Sequence, residues 1–154
     1  MKAFEKQKGL STVEFAIVGA VLLVLIFGVI EFGRGFFVAS ALDEATRRGA
    51  RMAAVCPIND PAIFQAAAFN NGLIPDLDAG DIVVDYLDSN FAIVGNPADP
   101  AGFRQIRFVR ARVVGYQHQI FIPFLTTTFF MPQYAAVLPR ESLGIPRTGV
   151  ITPC

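Results

Sequence analysis

The sequence predicts an α+β protein in which one long N-terminal helix packs on a small antiparallel sheet, with one short extra helix. Three observations predict this class. Residues 15–30 contain no charged or strongly polar side chain. An amphipathic pattern extends the helix to Val55, shortly before Pro57. Apolar residues farther on alternate with period two, as in strands. We therefore divide the chain into a leader at 1–9, a transmembrane and stalk helix at 10–55, and a small domain at 56–154.

The leader is short and basic, with Lys2, Lys6 and Lys8 against Glu5. Positive residues beside a membrane segment stay on the cytoplasmic side, so the domain is predicted to be translocated. The apolar run is long for a cleaved secretory signal, and no A-x-A cleavage site follows it. Residues 10–30 approach the ~20 apolar residues that span a bilayer.

Two acidic residues flank the apolar run. Glu14 is a lone carboxylate at its start, and an ionisable side chain in a membrane segment is costly enough to indicate a function. Glu31 lies just beyond the run with Arg34 at i, i+3, which predicts an ion pair at the outer membrane edge. Small residues interrupt the helix and favour either close helix packing or ordinary glycine enrichment; they include Gly19, Gly28, Gly33 and Gly35.

The second half of the helix carries an apolar stripe that needs a covering domain. Its members are Val38, Leu42, Ala45, Gly49 and Ala53. Asp43–Arg47 and Glu44–Arg48 have the favourable acid-first i, i+4 spacing, so the arginines form a solvated face and no nucleic-acid patch.

In the domain, Asp60-Pro61 predicts the N-terminus of a short helix that ends at Gly72. Strands are predicted at 81–87, 91–94, 105–116 and 134–139, with a loop at 95–102. The segment 120–132 is rich in phenylalanine, and two interpretations remain open: a loop packed into the core, or a surface that touches the membrane or a partner. Residues 142–154 are irregular.

Cys56 and Cys154 fit either one disulfide or two free thiols. A bridge would tie down a tail that otherwise frays. No other cysteine is present and His118 is the single histidine, so no structural zinc site of four ligands forms. We expect His118 to be a surface or hydrogen-bonded polar residue.

No catalytic motif is present, and we expect neither a catalytic residue nor a metal or other cofactor. The acidic residues between Asp76 and Asp88 do not have the spacing of a calcium-binding EF-hand loop. A net charge of zero gives no reason to expect nucleic acid as a partner.

Three motifs together resemble one family. They are Gly9 followed by Val13-Glu14-Phe15, then IEFGR at 30–34, then GARMA at 49–53. This pattern resembles the TadE-like minor pseudopilins of the tight-adherence (Flp pilus) system, which carry a class III, prepilin-type signal. The resemblance covers roughly residues 8–55, and Pro139-Arg140-Glu141 loosely fits the family's final strand.

The resemblance implies a pilin-like structural subunit in the assembly of an adhesion or secretion pilus. Prepilin peptidase would cut between Gly9 and Leu10. The new ammonium of Leu10 would then lie one helical turn from Glu14, and their pairing, in one chain or between subunits, would set axial register next to Phe15. Alternatively, Glu14 reaches out to the membrane surface.

The implied partners are prepilin peptidase, other pilin or pseudopilin subunits, the inner-membrane assembly machinery and the lipid bilayer. The implied location is the bacterial inner membrane, with a periplasmic domain and with entry into an extracellular pilus left open. The alternative function is an uncleaved single-pass membrane protein with a periplasmic binding or sensor domain. A membrane-anchored enzyme lacks site residues.

Overall fold

The computed structural model describes residues 8–122, 125–145, 149, 151 and 153–154, and it confirms the α+β class. The helices are α1 (Lys8–Val55), α2 (Pro61–Ala67) and α3 (Pro100–Gln105). The strands of the described chain are β1 (Ile82–Leu87), β2 (Phe108–Val113), β3 (Gln117–Ile122), β4 (Leu125–Phe130) and β5 (Ala135–Pro139). One antiparallel sheet has the order β1-β2-β5, while β3 and β4 pair separately as a hairpin.

Small side chains let helix α1 lie close to the three-stranded sheet. A Cβ added to Gly49 would be 3.1 Å from the Cβ of Ala111 on β2 and 3.2 Å from the Cβ of Ala67 on α2. Ala50 and Ala53 are fully buried. The GARMA segment is therefore the part of α1 that the domain packs against, and a larger residue at Gly49 would push these elements apart.

The core lies between the second half of α1 and the domain, in two clusters. The cluster nearer the apolar end of α1 includes Val38, Leu42, Ala45, Ile74, Leu77, Ile82 and Val113. The other lies at the far end of α1 and includes Ala53, Cys56, Ile63, Tyr86, Ile106 and Val109. The predicted apolar stripe of the stalk thus finds its cover in α2, β1 and β2.

The C-terminal end of α1 is capped by a distant segment. The backbone N–H groups of Glu141 and Leu143 donate to the carbonyl of Ala54, and that of Gly144 donates to the carbonyl of Val55. The last carbonyls of a helix have no partner within it, so these bonds satisfy two of them. Residues 141–145 are therefore docked on the helix, so the first part of the irregular segment predicted at 142–154 is held by backbone hydrogen bonds.

The short helix after Pro61 ends earlier than predicted. Asp60 caps it as expected, through a 2.9 Å bond from the N–H of Ala62 to its Oδ1. Helix α2 stops at Ala67, and a 3₁₀ turn at Phe69–Asn71 follows with positive φ angles at all three residues. Asparagine tolerates the left-handed region better than most residues, so the pair of asparagines breaks the helix before Gly72.

Two other predictions were wrong in detail. Residues 91–94 form one isolated bridge, Leu87 to Ile93, because the side chain of Asp88 accepts bonds from the N–H groups of Asn90 and Ala92 and closes a tight turn. The predicted strand at 105–116 is shorter, since α3 occupies its first residue and part of the predicted loop. Pro100 at the start of α3 was an available helix signal.

Where a loop was predicted, the described residues of the phenylalanine-rich segment lie largely in two strands, β3 and β4, with Phe121 and Phe130 exposed and Met131 packed against the nearer core cluster. Its register pairs His118 with Phe129 and Ile122 with Leu125, so the segment folds back on itself as the β3–β4 hairpin. Residues 123–124, between the two strands in sequence, lie outside the described chain. The mixture of proline, threonine and aromatic residues concealed the period-two alternation that the pairing reveals.

A compact ion cluster holds the outer face of the three-stranded sheet. Oδ2 of Asp85 accepts bonds of 2.9 and 2.8 Å from Arg110 and one of 3.0 Å from Arg112. The carboxylate is 8% exposed, and both arginines are partly buried above it. Strand pairing brings Asp85 directly opposite Arg110.

We expect Asp85→Asn to lower the free energy of unfolding by about 2–3 kcal/mol, because two guanidinium groups then face each other without a counter-charge. Urea unfolding of the full chain in detergent, followed by circular dichroism, measures this change. Asp43→Asn is the control: its pair with Arg47, at 2.9 Å, is largely exposed and should cost no more than about 0.5 kcal/mol. Equal losses of unfolding free energy in Asp85→Asn and Asp43→Asn would show that burial of the Asp85 cluster does not add to its stabilising effect.

Candidate membrane and assembly surface

The first half of α1 is an apolar surface that the domain leaves uncovered. Within the described chain the structure has one helix long and apolar enough to cross a membrane, and none of its most apolar 18-residue window is buried. Phe15 is 79% exposed and Val29 is 74% exposed. A continuous apolar surface of this size indicates contact with lipid or another protein.

The residues predicted for processing and register lie at the start of this surface. Gly9 and Leu10 are in the first turns of α1, and Glu14 is exposed beyond them. Residues four apart fall one turn apart on a helix, and positions 10 and 14 are both in α1. Phe15 is exposed as well.

The glycines of the apolar half have open space around them. For Gly19, Gly28, Gly33 and Gly35, an added Cβ would meet no atom of the described chain within 4 Å. Small positions allow membrane helices to approach closely. This arrangement leaves the glycine positions free for contact with a neighbouring helix.

Glu31 and Arg34 form the predicted ion pair, with Oε1 of Glu31 2.5 Å from Nη1 of Arg34. The guanidinium of Arg34 also lies over the ring of Phe121 on β3, 4.8 Å from its centroid. Only 11% of the Glu31 side chain is exposed, and its Oε2 has no hydrogen-bond partner among the residues that the structure describes. The hairpin therefore covers the helix at the point where the apolar run ends.

His118 differs from the sequence prediction. It is 3% exposed, and its Nε2 finds no hydrogen-bond partner in the described part of the chain. Its ring packs edge-on against Phe129, 5.4 Å between centroids. The expectation of a surface or hydrogen-bonded histidine was wrong because His118 falls on the inward face of β3, which only the pairing with β4 defines.

A cavity of about 270 Å³ lies beside Arg34, between α1 and the start of β3, and it is lined in part by Tyr116 and His118. The hydroxyl of Tyr116 donates a 3.0 Å bond to the carbonyl of Pro75. Burial raises the pKa of Tyr116, and nearby Asp76 and Asp81 raise it further, while Arg34 lowers it. The phenol therefore stays protonated near neutral pH as a hydrogen-bond donor.

The acidic residues of the domain have local structural roles. Asp78 and Asp81 form a reciprocal capping box around the 3₁₀ turn at Ala79–Asp81. Among the residues described, no group of three or more His, Cys, Asp or Glu side chains could hold a metal ion.

A disulfide joins Cys56 to Cys154, with 5.7 Å between their Cα atoms. Cys56 is fully buried at the end of α1, and Cys154 is exposed. The backbone N–H of Cys154 also donates to Oδ2 of Asp60 at 3.3 Å. The end of the chain is thereby attached to the junction between α1 and α2.

Comparison with known proteins gives one match. Residues 9–51 match the family model described as TadE-like protein. The match begins at Gly9 and includes Glu14, the Glu31–Arg34 pair and the start of the GARMA segment. No curated protein and no solved structure matches the chain. With the exposed apolar helix, the family match indicates a membrane-anchored protein associated with a pilus.

Proposed function

We propose that the chain, whose residues 9–51 match the TadE-like family model, serves as a minor pilin-like structural subunit of a tight-adherence pilus. It would be made as a prepilin and cut by prepilin peptidase between Gly9 and Leu10. The observation that carries this proposal is the extent of the family match, which begins at the proposed cleavage site and continues through the whole apolar run.

The exposed helix supports a role in packing with other subunits. Its apolar residues, open glycines and Glu14 form a surface that the domain does not use. In a filament this surface would contact the helices of other pilin or pseudopilin subunits. Before assembly it would be held in the bilayer and would meet the inner-membrane assembly machinery there.

The orientation we propose places the N-terminus in the cytoplasm and the domain in the periplasm of a bacterium. Two independent features support it. The basic leader favours cytoplasmic retention, and the bridge between Cys56 and Cys154 requires an oxidising compartment, which the periplasm provides. Both features are consistent with an inner-membrane protein that faces outward.

Cleavage tests the proposal directly. The full chain is co-expressed with a tight-adherence prepilin peptidase, and its intact mass is measured. We expect a loss equal to residues 1–9, because the peptidase cuts on the cytoplasmic side of the apolar helix and leaves that helix as the anchor. Gly9→Leu should abolish the loss, since a branched side chain then occupies the residue before the bond.

Gly19→Leu is the matched control for that variant. It makes the same change inside the helix, where an added side chain meets open space, and it should leave cleavage unchanged. An uncut wild-type chain, in cells where the same peptidase cuts a known pilin, would instead favour an uncleaved membrane protein with a periplasmic binding or sensor domain.

A further inference from the structure

Six exposed phenylalanines surround α1 where it enters the domain. We call them the phenylalanine collar: Phe32, Phe36 and Phe37 on α1, and Phe121, Phe129 and Phe130 on the β3–β4 hairpin. Their exposed fractions run from 42% at Phe129 to 72% at Phe130. An exposed cluster of this kind marks an interaction surface.

The collar begins where the apolar run ends. Glu31 and Arg34 mark that boundary, and the helical members of the collar lie between Phe32 and Phe37. From Glu31 to Phe37 the helix rises about 9 Å. The headgroup layer on each side of a bilayer is about 5–8 Å thick. If residues 11–30 span the hydrocarbon, the collar lies at the height of the headgroups.

The hairpin brings its own phenylalanines to the same height. Strand β3 starts after Tyr116, which shares a core cluster with Val38 and Leu42, and it runs back along α1 until Phe121 lies against Arg34. One face of α1 is less exposed along this path, at Phe27, Glu31, Arg34 and Val38. The hairpin thus extends toward the apolar run.

An apolar groove joins the two parts of the collar. It is lined by Phe32, Gly35, Phe36, Ala39, Phe129 and Met131. The groove continues directly from the uncovered surface of the membrane helix. The hairpin also carries Gln117, Gln119 and Thr128, which need water or headgroups, and the free edges of a two-stranded ribbon cannot enter hydrocarbon.

We propose that the phenylalanine collar inserts into the headgroup layer of the outer leaflet and holds the domain against the lipid surface. Lipid is the occupant because the collar is continuous with a helix able to span the membrane, and because its mixture of aromatic and polar residues suits an interface. The proposal depends only on the helix crossing a membrane, and it stands whether or not the bond after Gly9 is cut.

Tryptophan reporters test the proposal, since the chain contains no tryptophan. Phe121→Trp places a reporter on the hairpin and Phe36→Trp places one on the helix. Phe91→Trp is the matched control: Phe91 is 58% exposed and stacks on Phe108 beyond the far core cluster. That cluster contains Cys56, about 38 Å along the helix from Glu31.

Each full-length variant is reconstituted in phosphatidylcholine vesicles with or without lipid brominated near the headgroup. We expect roughly a two-fold or greater loss of emission at positions 36 and 121, because the collar would lie within reach of the shallow bromines. Emission at position 91 should not change. Formation of the Cys56–Cys154 bridge, read from the intact mass, shows that each variant has folded.

Two outcomes would overturn the proposal. Quenching at position 36 without quenching at position 121 would show that the hairpin stands away from the lipid. Blue-shifted emission at both positions without quenching would show that protein, such as a second copy of the chain, covers the collar.

Discussion

Cys154→Ser is expected to lower the free energy of unfolding by about 4–5 kcal/mol, because the bridge closes a loop that restricts the unfolded chain. The two cysteines are 98 residues apart, so the loop contains nearly the whole domain. Cys154 is exposed, so its replacement removes the cross-link without altering the core around Cys56. Urea unfolding of the full chain in detergent, followed by circular dichroism, measures the loss.

Chemical reduction provides the control. Reducing the wild-type bridge should give the same loss, while reduction should leave Cys154→Ser unchanged. Limited proteolysis gives a second measurement, since residues 141–144 cap α1 next to Cys56 and should be cut sooner in the variant. A loss of unfolding free energy below about 1 kcal/mol, together with unchanged cleavage at residues 141–144, would show that packing alone holds the tail.

Glu14→Gln is expected to leave cleavage intact and to reduce incorporation into pili by about 100-fold or more. Under the proposed function, the ammonium of Leu10 loses its counter-charge in apolar surroundings, and breaking such a pair costs about 3–5 kcal/mol. A cost of that size corresponds to a change of at least about two orders of magnitude in an association constant. Pili sheared from cells and quantified by immunoblot measure incorporation.

Two variants make this result specific. Glu14→Asp keeps the charge and should retain part of the incorporation, because only the reach of the carboxylate changes. Glu44→Gln removes an exposed acid whose pair with Arg48 lies on the stalk, 3.0 Å apart, and should leave incorporation unchanged. Normal pili from Glu14→Gln cells would refute the register role, and a block in cleavage would reassign Glu14 to processing.

Local patterns of the helix were predicted well because they depend on neighbouring residues. The pairs Asp43–Arg47 and Glu44–Arg48 are present at 2.9 and 3.0 Å, as their i, i+4 spacing predicts. Helix α1 ends at Val55, two residues before Pro57, because a proline disfavours helical backbone at the residue that precedes it. In each case the relevant atoms are within one or two helical turns of each other.

The hairpin and the histidine were predicted poorly because their environment comes from distant residues. A segment with two prolines and three successive threonines has no clear strand pattern, and only the pairing of His118 with Phe129 turns it into a hairpin. In the resulting hairpin the His118 side chain is buried, whereas Phe121 is more than half exposed. The covered face of α1 between Phe27 and Val38 follows from the position of the hairpin, which the sequence of the helix does not reveal.

The sequence by itself determined that the chain contains one long apolar helix and that Glu14 lies at its start, since both follow from composition and short spacing. The resemblance to TadE-like proteins came from motifs between Gly9 and Ala53, and the family model matches residues 9–51. Tertiary structure alone decided that Gly49 allows α1 to contact Ala111 and Ala67, that residues 141–144 cap the helix, and that the hairpin brings three phenylalanines beside the end of the apolar run. Each of these contacts joins residues far apart in the chain, so it exists only after the helix has packed on the sheet.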